Sequence, residues 1–288
     1  MNGADCPDRV HFGYSFLDCG NGRRLEDFAG TIVSRPALAA TDLPSLPPAV
    51  WQAAPLRFDD GFGWRGSPPP DWRVRLDNSI LALTPASGGQ VGMFPEHAVV
   101  AARLCGLFAG RTPPSGGWRA ISLFAHTGLV TLSLASLAGM GEIVHVDAAG
   151  SAVRRARENA RLSGLLDAPV RWLIEDAVTF LRREICRGRC YDVLVADPPA
   201  HGRSRNGTWK LERDLPLFLD MIGKLLVPGG IFCLSCHRAG WTGSRLSALA
   251  VSALPKLEKM EILPLRLSSR NGQRELALGN AIFATIPT

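Results

Sequence analysis

Acidic side chains follow three short apolar runs between residues 119 and 199. Asp147 ends EIVHVD, Asp176 ends VRWLIED, and Asp197 follows YDVLVA. A fourth run, RAISL, precedes a turn that contains Phe124, Ala125, His126, Thr127 and Gly128. Such runs are typical of strands buried on both faces, and helix-like segments separate them, which predicts a parallel sheet. Because ligands lie beyond the carboxyl ends of such strands, these residues are the first candidates for a binding site.

The residue types at these strand ends suit a nucleoside. Gly128 allows a close approach of the backbone to a ligand, and the helix that starts there offers free N–H groups. Asp147 stands where a carboxylate accepts hydrogen bonds from ribose hydroxyls, and Asp176 could accept one from an adenine amino group. The alternative for both acids is that they only cap helices. A dinucleotide site is disfavoured because the turn lacks Gly-x-Gly-x-x-Gly.

A rigid loop with acceptor groups, Asp197-Pro198-Pro199, follows the run YDVLVA. The two prolines fix φ and remove two backbone donors, so the carboxylate and the carbonyl oxygens remain to orient an amino group of a planar substrate. The next segment, AHGRSRNGTWK, adds basic residues and one aromatic that suit a nucleotide: Arg203, Arg205, Trp209 and Lys210. A solvated surface loop is the alternative for this segment.

Cys233 and Cys236 form a Cys-x-x-Cys pair next to His237. Residues three apart on a strand point to opposite sides, so we expect no zinc at this pair and no metal in the site. Cys236 ends the fifth predicted strand, where a thiolate could attack C6 of a pyrimidine and activate C5 for methyl transfer. A buried cysteine without a chemical role is the alternative.

Composition limits the class of protein. The chain has 288 residues and an apolar fraction of 46%, which indicates a globular protein with a continuous core. No run reaches the roughly 18 apolar residues of a membrane span, and the first residues do not resemble a secretory or transit segment, so we expect a cytoplasmic protein. The net charge of +6 suits a polyanionic partner such as RNA, although an arginine-rich composition could also reflect a GC-rich genome.

Two regions differ in their patterns. Residues 1–92 predict a β-rich extension with strands at 11–18, 25–34, 72–76 and 79–84, and with a proline-rich extended strap over 36–70 that holds Trp51 and Trp64. Residues 93–288 predict an α/β domain that begins with a helix at 96–109 and alternates to about residue 254. The last strands, 257–267 and 278–286, should pair antiparallel because no crossover helix fits between them.

The motifs together resemble the class I S-adenosylmethionine-dependent methyltransferases, and within them the large-subunit ribosomal RNA methyltransferases that modify cytosine C5 or guanine N7. The resemblance covers about residues 92–286 and is carried by LFAHTG, VDAAGSAVRRARENARLSGL, EDAVTFLRRE, DPPAHGR, WKLERDLPLFL and LLVPGG, with VGMFPEHA as the lead-in. It implies a Rossmann-like sheet of seven strands with a terminal antiparallel hairpin. The implied cofactor is S-adenosylmethionine.

The resemblance also assigns roles to residues. The turn from Phe124 to Gly128 would line the methionine part of the cofactor, Asp147 with Ala148 would hold the ribose, and Asp176 with Ala177 would hold the adenine. Asp197 to Pro199 would face the substrate, and Cys236 would stand at the position of a nucleophile. The implied activity is methylation of an RNA base, with ribosomal RNA favoured. Methylation of a small molecule or a protein, or an inactive cofactor-binding protein of RNA assembly, are the alternatives.

Overall fold

The computed structural model describes residues 13–204, 207–254 and 257–287. The chain divides into two compact units, one that runs to Met93 and includes Ser268–Leu276, and one formed by Phe94–Leu267 and the residues from Ala277 onward. The sequence predicted one boundary, between residues 92 and 93, and did not predict that residues 268–276 belong to the first unit. They do so through hydrogen bonds, in which the Arg270 guanidinium donates to the Ser15 hydroxyl at 3.0 Å and Arg274 donates to the carbonyl of Cys19 at 2.5 Å.

The first unit contains a sheet of five strands in the order β1-β2-β3-β4-β5 and a separate hairpin of β6 and β7. The elements are β1 (Tyr14–Gly20), β2 (Arg23–Phe28), β3 (Thr31–Pro36), α1 (Pro48–Gln52), β4 (Leu56–Asp59), β5 (Gly63–Arg65), β6 (Arg73–Leu76) and β7 (Ser79–Ala82). The predicted strand at 25–34 is two strands, because Ala29 and Gly30 take φ values of 55° and 88° and form a turn.

The predicted extended strap over residues 36–70 is wrong, because this segment contains α1, β4 and β5. Pro36 is the last residue of β3, and the other prolines of the segment lie at the start of α1 or between the elements, where no ladder hydrogen bond is lost. The two tryptophans are held by their indole N–H groups. Trp51 donates to the Asp18 carboxylate at 3.2 Å, and Trp64 donates to the carbonyl of Ala86 at 2.7 Å.

The second unit is an α/β fold around a sheet of seven strands, in the order β10-β9-β8-β11-β14-β16-β15. Its strands are β8 (Trp118–Leu123), β9 (Met140–Asp147), β10 (Val170–Ile174), β11 (Tyr191–Ala196), β12 (His201–Ser204), β13 (Gly207–Lys210), β14 (Leu226–Cys236), β15 (Glu258–Ser268) and β16 (Glu275–Thr285), of which β12 and β13 form a separate pair. Its helices are α2 (His97–Phe108), α3 (Leu129–Ala135), α4 (Gly150–Leu162), α5 (Ala177–Cys186), α6 (Leu211–Gly223) and α7 (Gly243–Ala253).

The predicted Rossmann-like sheet is confirmed. Strands β8 to β11 and β14 pair in parallel, and β16 runs antiparallel to β14. The chain starts at β8 and proceeds outward to β9 and β10, then returns to β11 on the other side of β8. The strand order therefore reverses between β8 and β11, and this is the position where a crevice opens at the carboxyl ends of the strands.

Burial of apolar runs explains why these segments became central strands. Ile121 in β8, Val144 in β9 and Leu194 in β11 are fully buried, and helices cover both faces of the sheet. Within the part of the chain that the structure describes, no helix combines the length and the apolarity that a membrane span requires.

Candidate functional site

A cavity of about 700 Å³ opens at the carboxyl ends of the parallel strands of the second unit. Residues that follow four different strands line it: His126 after β8, Asp147 at the end of β9, Asp176 after β10 and Asp197 after β11. Its volume is typical of a site for a small molecule. The structure thus brings together the acidic residues that the sequence pattern singled out.

The turn after β8 has an unusual backbone. Phe124 and His126 have φ values of 54° and 48°, and Gly128 has a φ of 92°. Non-glycine residues in this left-handed region are costly, and they persist only where the surroundings fix them. Here Ala125 donates its N–H to the carbonyl of Val146 at 3.1 Å, which ties the turn to β9. The turn therefore presents a fixed surface to the cavity.

The residues of this turn line two neighbouring spaces. Phe124 and His126 line both the large cavity and a smaller adjoining pocket of about 30 Å³, whereas Ala125, Thr127 and Gly128 line only the smaller one. A side chain at Gly128 would place its Cβ 3.0 Å from the Cβ of Ala156 in α4, in addition to the strain of its positive φ. Glycine at this position is thus required by helix packing as well as by the turn.

Asp147 ties two strand ends together. One carboxylate oxygen accepts the N–H of His126 at 2.8 Å, and the other accepts the N–H of Ala149 at 2.8 Å. Each carboxylate oxygen has a second lone pair, so Asp147 can accept further hydrogen bonds from a ligand in the cavity that it lines. Ala148, which follows it, is exposed at the cavity wall.

Asp176 is the N-cap of α5. Its Oδ1 atom accepts the N–H of Thr179 at 2.9 Å and the Thr179 hydroxyl at 3.0 Å. The same carboxylate lines the cavity, so the capping interaction and a ligand contact are compatible. Ala177, which was predicted to contact the cofactor, has a buried side chain at the start of α5 and is not among the residues that line the cavity.

Asp197 lies at the opposite end of the cavity with Pro198 and Pro199. Its carboxylate accepts a hydrogen bond from the Ser235 hydroxyl at 2.5 Å and lies against two imidazoles, 3.1 Å from Nε2 of His97 and 3.3 Å from Nε2 of His237. We refer to His97, Asp197 and His237 as the His-Asp-His cluster. Sequence reasoning selected only one of its three members.

The ionisation of this cluster follows from its contacts. Burial by itself raises the pKa of Asp197, but His237 and His97 outweigh burial and hold that pKa well below its usual range. Burial lowers the pKa of His237, whereas the charge of Asp197, with help from Glu96, raises it to about 9. With no other ligand bound, a carboxylate and an imidazolium therefore face each other at this end of the cavity.

Sequence reasoning could have found His237, because it follows the last residue of β14 and thus obeys the strand-end rule that selected Asp197. His97 gave no such signal. It is the first residue of α2, a helix that precedes the parallel strands, and only the fold brings it to the carboxyl edge.

The structure corrects the predicted position of Cys236 relative to the cavity. The residue does end β14, but its side chain is 1% exposed among apolar neighbours and is not part of the cavity lining. Burial raises the pKa of its thiol, which disfavours the thiolate that a nucleophile requires. Cys233 is buried in a different apolar cluster on the other face of the sheet.

The segment after Pro199 is the hairpin of β12 and β13 rather than a loop. Trp209 was predicted to bind the substrate, but its ring is 8% exposed, contacts Phe124 and Phe218, and donates its N–H to the carbonyl of Pro199 at 2.7 Å. It touches the cavity as a buried support of the Asp-Pro-Pro loop. A packed, hydrogen-bonded ring cannot serve as a free stacking platform.

The predicted basic residues of this segment have mixed outcomes. Lys210 is exposed outside the cavity lining, Arg203 lies in β12, and Arg205 lies outside the described residues. The basic residues that line the cavity are instead Arg182 of α5, Arg213 of α6 and Arg238 after β14. Arg182 and Arg213 lie on helices and carry no strand-end signal, which is why the sequence pattern did not reveal them, whereas Arg238 follows a strand.

Comparisons with known proteins agree with this geometry. A family model described as S-adenosylmethionine-dependent methyltransferase matches residues 107–257. Among solved structures, the chain is similar to an S-adenosylmethionine-dependent methyltransferase from Agrobacterium tumefaciens, with 30% identity, a TM-score of 0.84, and coverage of 95% of this chain and 90% of that one. A methyltransferase solved in complex with SAH shares the fold at 14% identity, with a TM-score of 0.73 over 96% of this chain and 76% of that one.

Curated relatives add a more specific likeness. Over 119 residues the chain is 35% identical to the Ribosomal RNA large subunit methyltransferase I of Shewanella denitrificans, which covers 40% of this chain and 29% of that protein. Over 189 residues it is 27% identical to the Ribosomal RNA large subunit methyltransferase K/L of Syntrophotalea carbinolica, which covers 65% of this chain and 24% of that protein. The chain spans less than a third of the length of these relatives. The matched family model and the likeness to the Agrobacterium structure show that the chain belongs to the S-adenosylmethionine-dependent methyltransferases.

Proposed function

We propose that the protein methylates a base of RNA, with ribosomal RNA as the favoured substrate. The observation that carries this proposal is the cavity end formed by Asp197, Pro198 and Pro199, where acceptor groups lie on a rigid loop beside the cofactor half of the cavity. Arginines at the cavity wall suit a polyanion. The names of the curated relatives, which are ribosomal RNA methyltransferases, support the same substrate class.

The residues present fit S-adenosylmethionine. The cavity holds two separate carboxylates, Asp147 and Asp176, at the positions where ribose hydroxyls and an adenine amino group need acceptors. Between them and Asp197 lies the fixed turn after β8, which we assign to the methionine part. The cofactor would supply a methyl group on a sulfonium, and the neutral thioether is a good leaving group when an acceptor atom attacks the methyl carbon.

The protein then contributes alignment and exclusion of water, which are the main requirements of such a transfer. Asp197 accepts hydrogen bonds from a base edge, and Ser235 and the two imidazoles fix its orientation. Trp209 holds the carbonyl of Pro199 in place through its indole N–H. These contacts would hold the base in a fixed orientation for the transfer.

Two variants distinguish the two roles of Asp176, as the N-cap of α5 and as a contact of the cofactor. Asp176→Ser keeps a capping oxygen, so we expect unchanged stability but a loss of S-adenosylmethionine affinity of about 10-fold, the value of one hydrogen bond to a charged group. Asp176→Ala should lose the same affinity and in addition about 1 kcal/mol of stability. Calorimetric titration and thermal unfolding measure the two effects. Unchanged affinity in both variants would leave Asp176 as a cap only.

Cys236 allows a test of the pyrimidine C5 mechanism. Because the thiol is buried and its pKa is raised, we expect Cys236→Ala to keep turnover within about threefold, which is the scale of a small packing change. The measurement is single-turnover methyl transfer to RNA, with Cys233→Ala as the matched control. If Cys236→Ala alone abolished transfer while cofactor affinity stayed normal, the nucleophile hypothesis for cytosine C5 would hold instead.

The substrate is tested by mass spectrometry of nucleosides. Ribosomal and transfer RNA from a strain that lacks the gene should miss one methylated nucleoside, and the wild-type gene should restore it. An Asp197→Asn gene should not restore it. Full modification of all RNA in the deletion strain would point to the small-molecule or protein alternatives, and cofactor binding without any turnover would favour the RNA-assembly alternative.

A further inference from the structure

The His-Asp-His cluster brings three metal-ligating groups to one point. Nε2 of His97 lies 3.0 Å from Nε2 of His237, and the Asp197 carboxylate lies 3.1 Å and 3.3 Å from these two nitrogens. All three ligand atoms lie within 4.8 Å of one another. Separations of about 3 Å between neighbouring ligand atoms are those that metal–ligand bonds of 2.0–2.2 Å produce. The side chains are part-buried and two of them, Asp197 and His237, line the cavity.

The hydrogen bond of His237 to the backbone leaves its Nε2 atom facing the other two groups. Nδ1 of His237 lies 3.1 Å from the carbonyl oxygen of Leu278, an acceptor, so this nitrogen carries a proton. In neutral His237 the remaining Nε2 is then an acceptor that faces the acceptor oxygens of Asp197. A cation between the three groups satisfies every contact at once.

The surroundings have the features of an outer ligand shell. The Leu278 carbonyl fixes the tautomer of His237 that offers Nε2, and Ser235 fixes the Asp197 carboxylate. Glu96 is 3% exposed, with one carboxylate oxygen 3.6 Å from Nδ1 of His237 and the other without a hydrogen-bond partner among the described residues. Outer carboxylates and carbonyls of this kind orient the histidine ligands of metals.

We propose that His97, Asp197 and His237 bind one divalent transition-metal ion, with Zn²⁺ as the favoured ion. Two imidazoles and one carboxylate suit Zn²⁺ and its neighbours in the first transition row, whereas Mg²⁺ and Ca²⁺ prefer oxygen ligands. Three protein ligands leave a coordination position open toward the cavity, where an oxygen of the methyl acceptor or a water could bind. The site would thereby orient the acceptor, whichever molecule carries it.

Metal binding is measured on the full chain without a tag, after dialysis against a chelator and then buffer. Titration with Co²⁺ alone should give the visible absorption bands of a four- or five-coordinate site, and Zn²⁺ should displace one Co²⁺ per chain. His97→Gln and His237→Gln should each weaken Co²⁺ binding by about 100-fold or more, and Glu96→Gln by about 10-fold. His201→Gln, which changes an exposed histidine of β12, is the matched control.

The outcomes separate this proposal from the proposed function. Absence of the Co²⁺ bands in the wild type, or an equal loss in His201→Gln, would overturn the metal site. Thermal unfolding of the metal-free variants checks that they are folded. In a folded variant, the absence of the Co²⁺ absorption bands then means that a metal ligand has been removed. S-adenosylmethionine binding, measured by calorimetry with the chelator present, should be unchanged, because the carboxylates assigned to the cofactor belong to other strand ends. Cofactor binding is therefore judged independently of the metal.

Discussion

Asp197→Asn should lower the rate of methyl transfer by about 100- to 1,000-fold, as the loss of one preorganised polar group in an active site does. One carboxylate oxygen accepts from Ser235 and faces His237, and the other faces His97. An amide can replace only one of these oxygens, and its NH₂ group turns a donor toward groups that need an acceptor. The base edge therefore loses its fixed partner, and single-turnover kinetics with RNA measure the effect.

The cofactor should still bind to this variant. Because Asp197 lies at the other end of the cavity from Asp147 and Asp176, we expect the dissociation constant of S-adenosylmethionine to stay within about twofold, as for independent sites. Asp192→Asn is the matched control, since Asp192 lies near the start of the same strand β11 and accepts the N–H of Arg119 at 2.8 Å. Normal transfer by Asp197→Asn would remove Asp197 from the mechanism.

Asp147→Ala should weaken S-adenosylmethionine binding by about 100- to 10,000-fold, because two hydrogen bonds to a charged group contribute about 1.5–3 kcal/mol each. The variant also removes the acceptor for the N–H groups of His126 and Ala149. The turn after β8 then loses one of the contacts that fix its left-handed residues. Isothermal titration calorimetry with S-adenosylmethionine measures the change.

The matched control for this variant is Asp167→Ala, which removes an exposed carboxylate from the connection between α4 and β10, at the opposite edge of the sheet. It should bind the cofactor as the wild type does. A dissociation constant for Asp147→Ala within a few-fold of the control would mean that Asp147 only ties the strand ends together, as the helix-cap alternative supposed.

The strand ends could be predicted from the sequence because their signal is local. Apolar runs such as YDVLVA reach their length only in buried parallel strands, and an acid directly after the run must lie at the carboxyl edge. Position along the chain thus fixed the place of Asp147, Asp176 and Asp197 in the fold. The role of Gly128 could also be predicted, because glycine is the residue type that adopts a positive φ without strain, as this turn requires.

The other half of the site depends on tertiary packing. His97 reaches Asp197 because α2 packs where it does, and Arg182 and Arg213 reach the cavity from helices. The sequence also did not reveal which side chains are buried. Trp209 and Cys236 lie at positions that suggested a role in the site, but their side chains pack into an apolar cluster. The sequence indicates which residues come near the edge of the sheet, whereas only the fold decides which side chains face the cavity.

Label transfer from S-adenosylmethionine tests the central claim most directly. The protein is incubated with methyl-labelled cofactor and a cell extract from the deletion strain, and the label is then followed into fractions that are sensitive to ribonuclease, to protease or to neither. We expect ribonuclease-sensitive label with the wild type, and none with Asp197→Asn or Asp147→Ala. Label that only protease removes, or that stays in small molecules, would contradict methylation of RNA.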